Sequence, residues 1–196
     1  DFNYLPFFLG MVENVRSLHR GEVHFHLLAL DEKVDGVIRE RFPAERIHLY
    51  HFSDLWSQAQ LPKIMERSVG ERAYSSKPKL LLKVLESVEG PVFYCDSDVY
   101  FWERPKDLMR ALGDSPVLLF PHWNDEFMEV RADGLFNAGM VGVNVKGKAF
   151  LQWWGERCGE RCDVAATRGD QGYLDYAPVL FKEVQIYQGR DHNVAR

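Results

Sequence analysis

Pro91-Val92-Phe93-Tyr94-Cys95-Asp96-Ser97-Asp98-Val99-Tyr100-Phe101 is the stretch from which the rest of the chain is best read. A short apolar run predicts a buried strand, and the strand delivers two carboxylates at its end. Asp96 and Asp98 are two residues apart. If the chain turns at Ser97, they converge on one hard cation. Oxygen ligands of this kind suit magnesium or manganese, which bind jointly to protein carboxylates and substrate phosphates. The end of a buried strand is also where open α/β sheets place their ligands. Alone, the triplet fits a solvated turn as well as a site.

Working outward, apolar strands alternate with amphipathic stretches. Strands are expected over residues 23–30, 46–52, 91–95, 117–120, 136–143 and 184–187. Helices are expected over 8–19, 34–42, 79–86, 104–112 and 149–161, with a further helix opening at 169–175. Ser75-Ser76-Lys77-Pro78 reads as a helix start, with serine caps and a proline in the first turn. The alternation predicts an α/β fold: a single Rossmann-like domain over 1–196, with a mostly parallel central sheet flanked by helices. There is no internal repeat and no linker.

The 196 residues suffice for one domain with a sizeable core. Acidic residues (29) outnumber Lys and Arg (24), so a nucleic-acid groove is not indicated, and an anionic ligand needs a metal or a few placed cations. Three cysteines, an odd count, argue for a reducing compartment without a disulfide framework. Cys158 and Cys162 have no zinc-like partners and read as packing residues. No apolar run has the length of a membrane span. The chain opens at Asp1 without methionine and stops at Arg196, so both ends read as cut. A cytoplasmic location is expected, with membrane association through regions outside the fragment left open.

Four further constellations carry chemistry. Gly169-Asp170-Gln171-Gly172-Tyr173-Leu174-Asp175 flanks a carboxylate and an amide with glycines, which allow close approach of a ligand; an Asp helix cap is the plain alternative. Asn137, before Ala138 and Gly139 in an apolar strand, is either a sugar contact or the structural residue of a β-bulge. Lys77 and Lys79 bracket Pro78 at the expected helix start, where phosphate is favoured, or are merely solvated. His192, in Asp191-His192-Asn193, either completes a metal site with Asp96 and Asp98 or lies in a surface turn. His24, His26 and His48 read as structural. The loop from His122 to Phe127 either lines an acceptor site or plugs the sheet.

The ordered set resembles the glycosyltransferases of the type A nucleotide-diphospho-sugar transferase fold, in particular the glycogenin-like and family-8 enzymes and a bacterial branch of such transferases. The order is Asn3-Tyr4 before a helix, a Lys-led helix, Asp96-Ser97-Asp98, Asn137-Ala138-Gly139, then the Gly169–Asp175 segment. The resemblance implies a divalent metal, Mn2+ or Mg2+, on Asp96, Asp98 and His192. It implies a nucleotide-sugar donor, UDP-linked, touching Asn3, Tyr4, Lys77 or Lys79, Ser97, Asn137, Ala138 and Gly139, with Tyr4 stacked on the base. Asp170 and Gln171 fall at the reacting face. The implied reaction moves a sugar to an acceptor hydroxyl on a glycan, lipid or protein, with retention. The longer C-terminal His-Gly-Lys-Pro-Trp signature of family 8 is not visible. A haloacid-dehalogenase-type phosphatase also places Asp-x-Asp after an apolar strand, but here Asp98 is followed by Val-Tyr and the Gly169 segment follows no strand. A silent nucleotide-sugar-binding module is the third reading.

Overall fold

The computed structural model describes residues 1–42, 46–122 and 134–189. The fold is α/β. Helix α1 spans Leu5–Leu18, strand β1 Phe25–Leu28, α2 Glu32–Arg41 and β2 Ile47–Tyr50. Two short helices, α3 (Phe52–Leu55) and α4 (Leu61–Met65), lead into α5 (Val69–Val84). Then come β3 (Val92–Cys95), α6 (Lys106–Leu112), β4 (Val117–Pro121) and β5 (Phe136–Val143). Helix α7 (Lys148–Glu160), the short α8 (Val164–Thr167), a 3-10 turn (Gln171–Tyr176), α9 (Ala177–Leu180) and β6 (Val184–Ile186) complete the order.

The strands form two sheets. β1 and β2 pair in parallel, and the larger sheet has the order β3-β5-β4-β6. β4 and β6 are parallel, whereas β5 runs antiparallel to both β3 and β4. The larger sheet is therefore mixed, where alternation along the sequence led us to expect a mostly parallel one. β3, β4 and β6 share one direction, and β5 enters reversed between β3 and β4; Val143 sits opposite Val92 on one side and Val117 on the other. Alternation reports that a strand is followed by a helix, not which way the next strand enters the sheet.

Both faces of the larger sheet are covered. Val117, Leu119, Val141 and Val143 point to one side, where Leu81 and Leu85 of the α5 region meet Leu151, Trp154 and Cys158 of α7. Leu118, Phe120 and Met140 point to the other and meet Leu108 and Leu112 of α6. This two-residue alternation is the ordinary pleat of a strand buried on both faces. The smaller sheet packs Phe25 and Ile47 against Phe8, Val12, Val15, Val34 and Ile38 of α1 and α2. Cys95, Val99 and Phe101 lie against both the α1 and the α6 clusters, so the segment after β3 joins the two cores.

The cap of helix α5 lies seven residues before the predicted Ser75. Ser68 caps it: its hydroxyl accepts from the Glu71 amide while Glu71 bonds the Ser68 amide, a reciprocal capping box. Pro78 thus lies inside the helix, where it removes the bond to the Tyr74 carbonyl. Ser75 and Ser76 are buried and bond back to the Glu71 and Arg72 carbonyls rather than capping an end. Arg67, just before the cap, donates to the Cys158 and Gly159 carbonyls at 2.7 and 2.6 Å and so fastens α5 to α7. Cys158 and Cys162 are free thiols in the main core, as packing residues should be. Among the described residues no helix is long and apolar enough to cross a membrane.

Candidate functional site

The site is built around Lys77. Two turns into α5 its side chain turns under the sheet, where it is only 5% exposed. Its Nζ lies 3.3 Å from Asp96 Oδ1 and 3.4 Å from Asp170 Oδ2, and donates to the Ala138 carbonyl at 3.2 Å. The Tyr74 and Tyr94 rings flank it at 5.3 and 5.0 Å. A buried ammonium needs this much compensation. Burial works to lower the Lys77 pKa, but Asp170 and Asp96 outweigh it and the net shift is upward. The lysine is charged at neutral pH.

β3 supplies Asp96. The strand ends at Cys95 and the chain turns through Ser97 and Asp98, with the Val99 amide donating to the Asp96 carbonyl at 3.1 Å. This is the turn at Ser97 on which convergence of the two carboxylates depends. Asp98 stands exposed in it, while the Asp96 side chain is 41% exposed. Tyr94 lies two residues before Asp96, on the same strand face, and its hydroxyl donates to Asp96 Oδ1 at 2.7 Å. Tyr94 was missed in the sequence, although the two-residue period that relates it to Asp96 is visible there. Burial, with the Asp96 charge, holds the Tyr94 hydroxyl well above its usual value, so it stays a donor. Burial and Asp96 likewise push Cys95 up to about 12, leaving a thiol and not a metal-binding thiolate.

β5 supplies Asn137, Ala138 and Gly139 within an irregularity. Pairing with β4 shifts register between Leu119 and Pro121, so Asn137 lies in the irregular part of β5. Asn137 Oδ1 accepts from the Gly139 amide at 2.6 Å, and the Gly139 carbonyl accepts from the Asp96 amide at 2.8 Å. A Cβ on Gly139 would stand 2.8 Å from Asn137 Oδ1 and 2.9 Å from Asp96 Oδ2. A side chain there would have to push both of these carboxamide and carboxylate groups aside.

The Gly169–Asp175 segment supplies Asp170, 3% exposed. Gly169 takes φ +65°, and a Cβ on Gly172 would meet the Thr167 carbonyl oxygen at 2.3 Å. Asp170 makes no side-chain cap; its carboxylate makes the charge contact with Lys77, and its carbonyl accepts from Trp154 Nε1 at 2.9 Å. Burial raises the Asp170 carboxyl to about 6, Lys77 pulling down and Asp96 pushing up. Gln171 Oε1 accepts from the Ala138 amide at 3.0 Å, so Ala138 is held from both sides. Asp175 closes the loop through Arg168 at 2.6 Å and the Leu135 amide at 2.9 Å.

Lys77, Asp96, Asn137, Ala138, Gly139, Asp170 and Gln171 are thus brought together from four parts of the chain. Lys79 is not among them: its ammonium lies over Trp56 at 5.4 Å and its stem runs along Gly155 of α7. The helix-end rationale for the lysines is overturned as well, because Lys77 is internal to α5. Asn3 lines a separate open cavity of about 640 Å³ with Phe2, Leu30, Asp31, Lys33 and Val69, and this cavity does not reach Lys77, Asp96 or Asp170. Phe2 N donates to Asp31 Oδ2 at 2.8 Å, docking the N-terminal segment beside the end of β1. Tyr4 is exposed at the start of α1, its ring tilted against Phe7. His192 and the segment after His122 lie outside the described residues. Among the described residues no three His, Cys, Asp or Glu side chains form a metal-binding group.

The chain is similar to two proteins of Bacillus subtilis (strain 168). It is 30% identical over 175 residues to the uncharacterized protein YfnF, a match covering 81% of this chain and 57% of that protein. It is 26% identical over 194 residues to the uncharacterized protein YfnD, covering 92% and 62%. The chain therefore spans somewhat over half the length of these relatives. No protein-family model matches, and no solved structure does.

Proposed function

We propose that this chain is the donor-binding part of a metal-dependent glycosyltransferase that moves a sugar from a nucleotide-diphospho-sugar, UDP-linked, to an acceptor hydroxyl. The observation that carries the reading is the buried Lys77 bridging Asp96 and Asp170 beneath the Asp96–Asp98 turn. One ammonium is set against the carboxylates of Asp96 and Asp170, and the exposed Asp98 adds a negative charge two residues on in the turn; such an excess would attract a cation. The donors are hard oxygens, and they fit magnesium or manganese sharing its coordination with a diphosphate. Asp96 and Asp98 would hold the ion, which when bound supplies charge neutralisation to the departing nucleoside diphosphate.

The chain's own residues do the rest. Lys77 and Tyr94 fix Asp96 from behind, leaving Oδ2 on the Gly139 side. Asp170 is too buried to meet a substrate directly and is a positioning residue that keeps Lys77 charged and in place. Asn137 and Gln171 hold the Ala138–Gly139 backbone where the sugar would lie close to it. The bond from the anomeric carbon to the phosphate oxygen breaks and a bond to the acceptor oxygen forms; the hydroxyl proton leaves with the diphosphate or to solvent. Configuration is retained on the resemblance to family 8. The open cavity beside Asn3 is the place for the base.

The experiment is release of nucleoside diphosphate from a panel of nucleotide-sugars with manganese, using the whole protein and its Asp96→Asn variant. Release from one donor, lost in the variant, is expected. Phosphate release from simple phosphomonoesters with no donor turnover would replace this reading by the phosphatase one.

A further inference from the structure

The segment leaving Asp98 ends in an exposed aromatic pair. Trp102 is 85% exposed and Tyr100 59%, and their rings meet edge to face with centroids 5.0 Å apart. The residues that alternate with them face inward: Val99 and Phe101 pack into the clusters of α1 and α6. The backbone is pinned as well. Asn14, buried in α1, donates from Nδ2 to the Phe101 carbonyl at 2.9 Å and accepts at Oδ1 from the Phe101 amide at 2.8 Å. A buried side-chain amide is thus committed to holding the backbone of one residue so that its neighbours project outward. By chain length alone Trp102 lies within roughly 14 Å of Asp98.

Scattered exposed apolar residues need no explanation, but a paired, rigidly presented aromatic surface beside a ligand site does. We infer that Tyr100 and Trp102 form the platform on which a saccharide acceptor stacks. The inference rests on the transferase reading of Asp96 and Asp98. A pyranose offers an apolar face of C–H bonds and a rim of hydroxyls. The rings take the face, and the exposed Glu103, which follows Trp102 in sequence, takes hydroxyls. Exposed Trp and Tyr also suit a membrane surface. Here the nearby bases are Arg104 and Lys106, short of the basic cluster that anionic headgroups require.

The test probes immobilised oligosaccharides ending in hexose, N-acetylhexosamine and uronate with the wild type and the Tyr100→Ala, Trp102→Ala and Trp102→Phe variants. Melting shifts with nucleotide-sugars are read in parallel. Saccharide retention by the wild type should weaken about tenfold in each alanine variant and partly recover in Trp102→Phe, the donor-induced shift staying intact. Retention equal in all variants overturns the platform, as does no retention by the wild type. Trp102-dependent binding to phosphatidylglycerol vesicles without saccharide binding overturns it in favour of a membrane. Trp102-dependent saccharide binding with no donor shift upholds the platform and fells the transferase reading instead.

Discussion

Lys77 and Asp170 stand 3.4 Å apart, both almost wholly buried, on a helix and a loop that meet only in the folded chain. Their contact joins the part of the chain that carries Lys77 to the glycine-rich segment, and Asp96 closes the triangle at the end of β3.

Removing Lys77 should therefore be costly. Lys77→Met leaves Asp170 buried without its counter-charge, and about 3–5 kcal/mol of stability should be lost. Adding Asp170→Asn should recover part of that loss, because the stranded charge goes with it. Urea unfolding of the two single variants and the double variant measures the coupling. Strictly additive losses would show that the two residues do not act as a pair.

Two groups give opposite pH dependences. Asp170 titrates at about 6 in the folded chain against an ordinary 3.8, raised by burial. The native state holds its proton more tightly, so this contribution is complete at low pH and is lost as pH rises through about 6. His26 is pushed down to about 4 from 6.5 by burial, with His48 and His24 adding. Its contribution is present above 6.5 and is lost as pH falls toward 4. The slopes oppose one another between pH 4 and 6. In His26→Gln the Asp170 slope is unmasked, and stability should fall from pH 4 to 6; a variant that grows more stable across that window contradicts the assignment. Lys77, Asp96 and Tyr94 face Asp170; Lys77 is shifted upward by its carboxylate neighbours and Tyr94 by burial, both away from this range.

The glycines should separate fold from site. In Gly172→Ala the new methyl meets a backbone oxygen at 2.3 Å, and a loss of roughly 1–3 kcal/mol is expected. In Gly139→Ala the methyl meets the side chains of Asp96 and Asn137, which can shift. That variant should keep more stability than Gly172→Ala and lose ligand binding instead. Melting temperatures and nucleotide-sugar titrations of the pair would show it; the reverse ranking would mean that Gly139 serves packing alone.

Asn14→Leu removes both hydrogen bonds to Phe101 and should cost about 1–3 kcal/mol. The exposed Trp102 should then become more mobile, read as a fall in its fluorescence anisotropy in a variant whose other tryptophans are replaced by Phe. An unchanged anisotropy would mean that Asn14 does not hold the segment.

Much of this arrangement is written locally. β5 spans 136–143 as its apolar run predicts, and β3 delivers Asp96 into a turn at Ser97. What is not local could not be read. The reversal of β5 depends on which strands it pairs with. Pro78 looked like a helix start because the stronger signal, the Ser68–Glu71 box, lies a full two turns earlier. Lys77 and Lys79 seemed interchangeable, yet two residues on a helix turn the side chain to nearly the opposite face, so only one reaches Asp96. The partners of Lys77 come from the end of β3, from β5 and from the loop before the 3-10 turn, and no spacing in the sequence connects them.

The most direct test of the donor site is the melting temperature of the protein with UDP, with and without manganese, in the wild type and in Asp96→Asn/Asp98→Asn. A ligand that binds only the folded state raises that temperature. The account predicts a rise that needs both UDP and manganese and disappears in the double variant. A rise with UDP that is the same without manganese and in the double variant would contradict it.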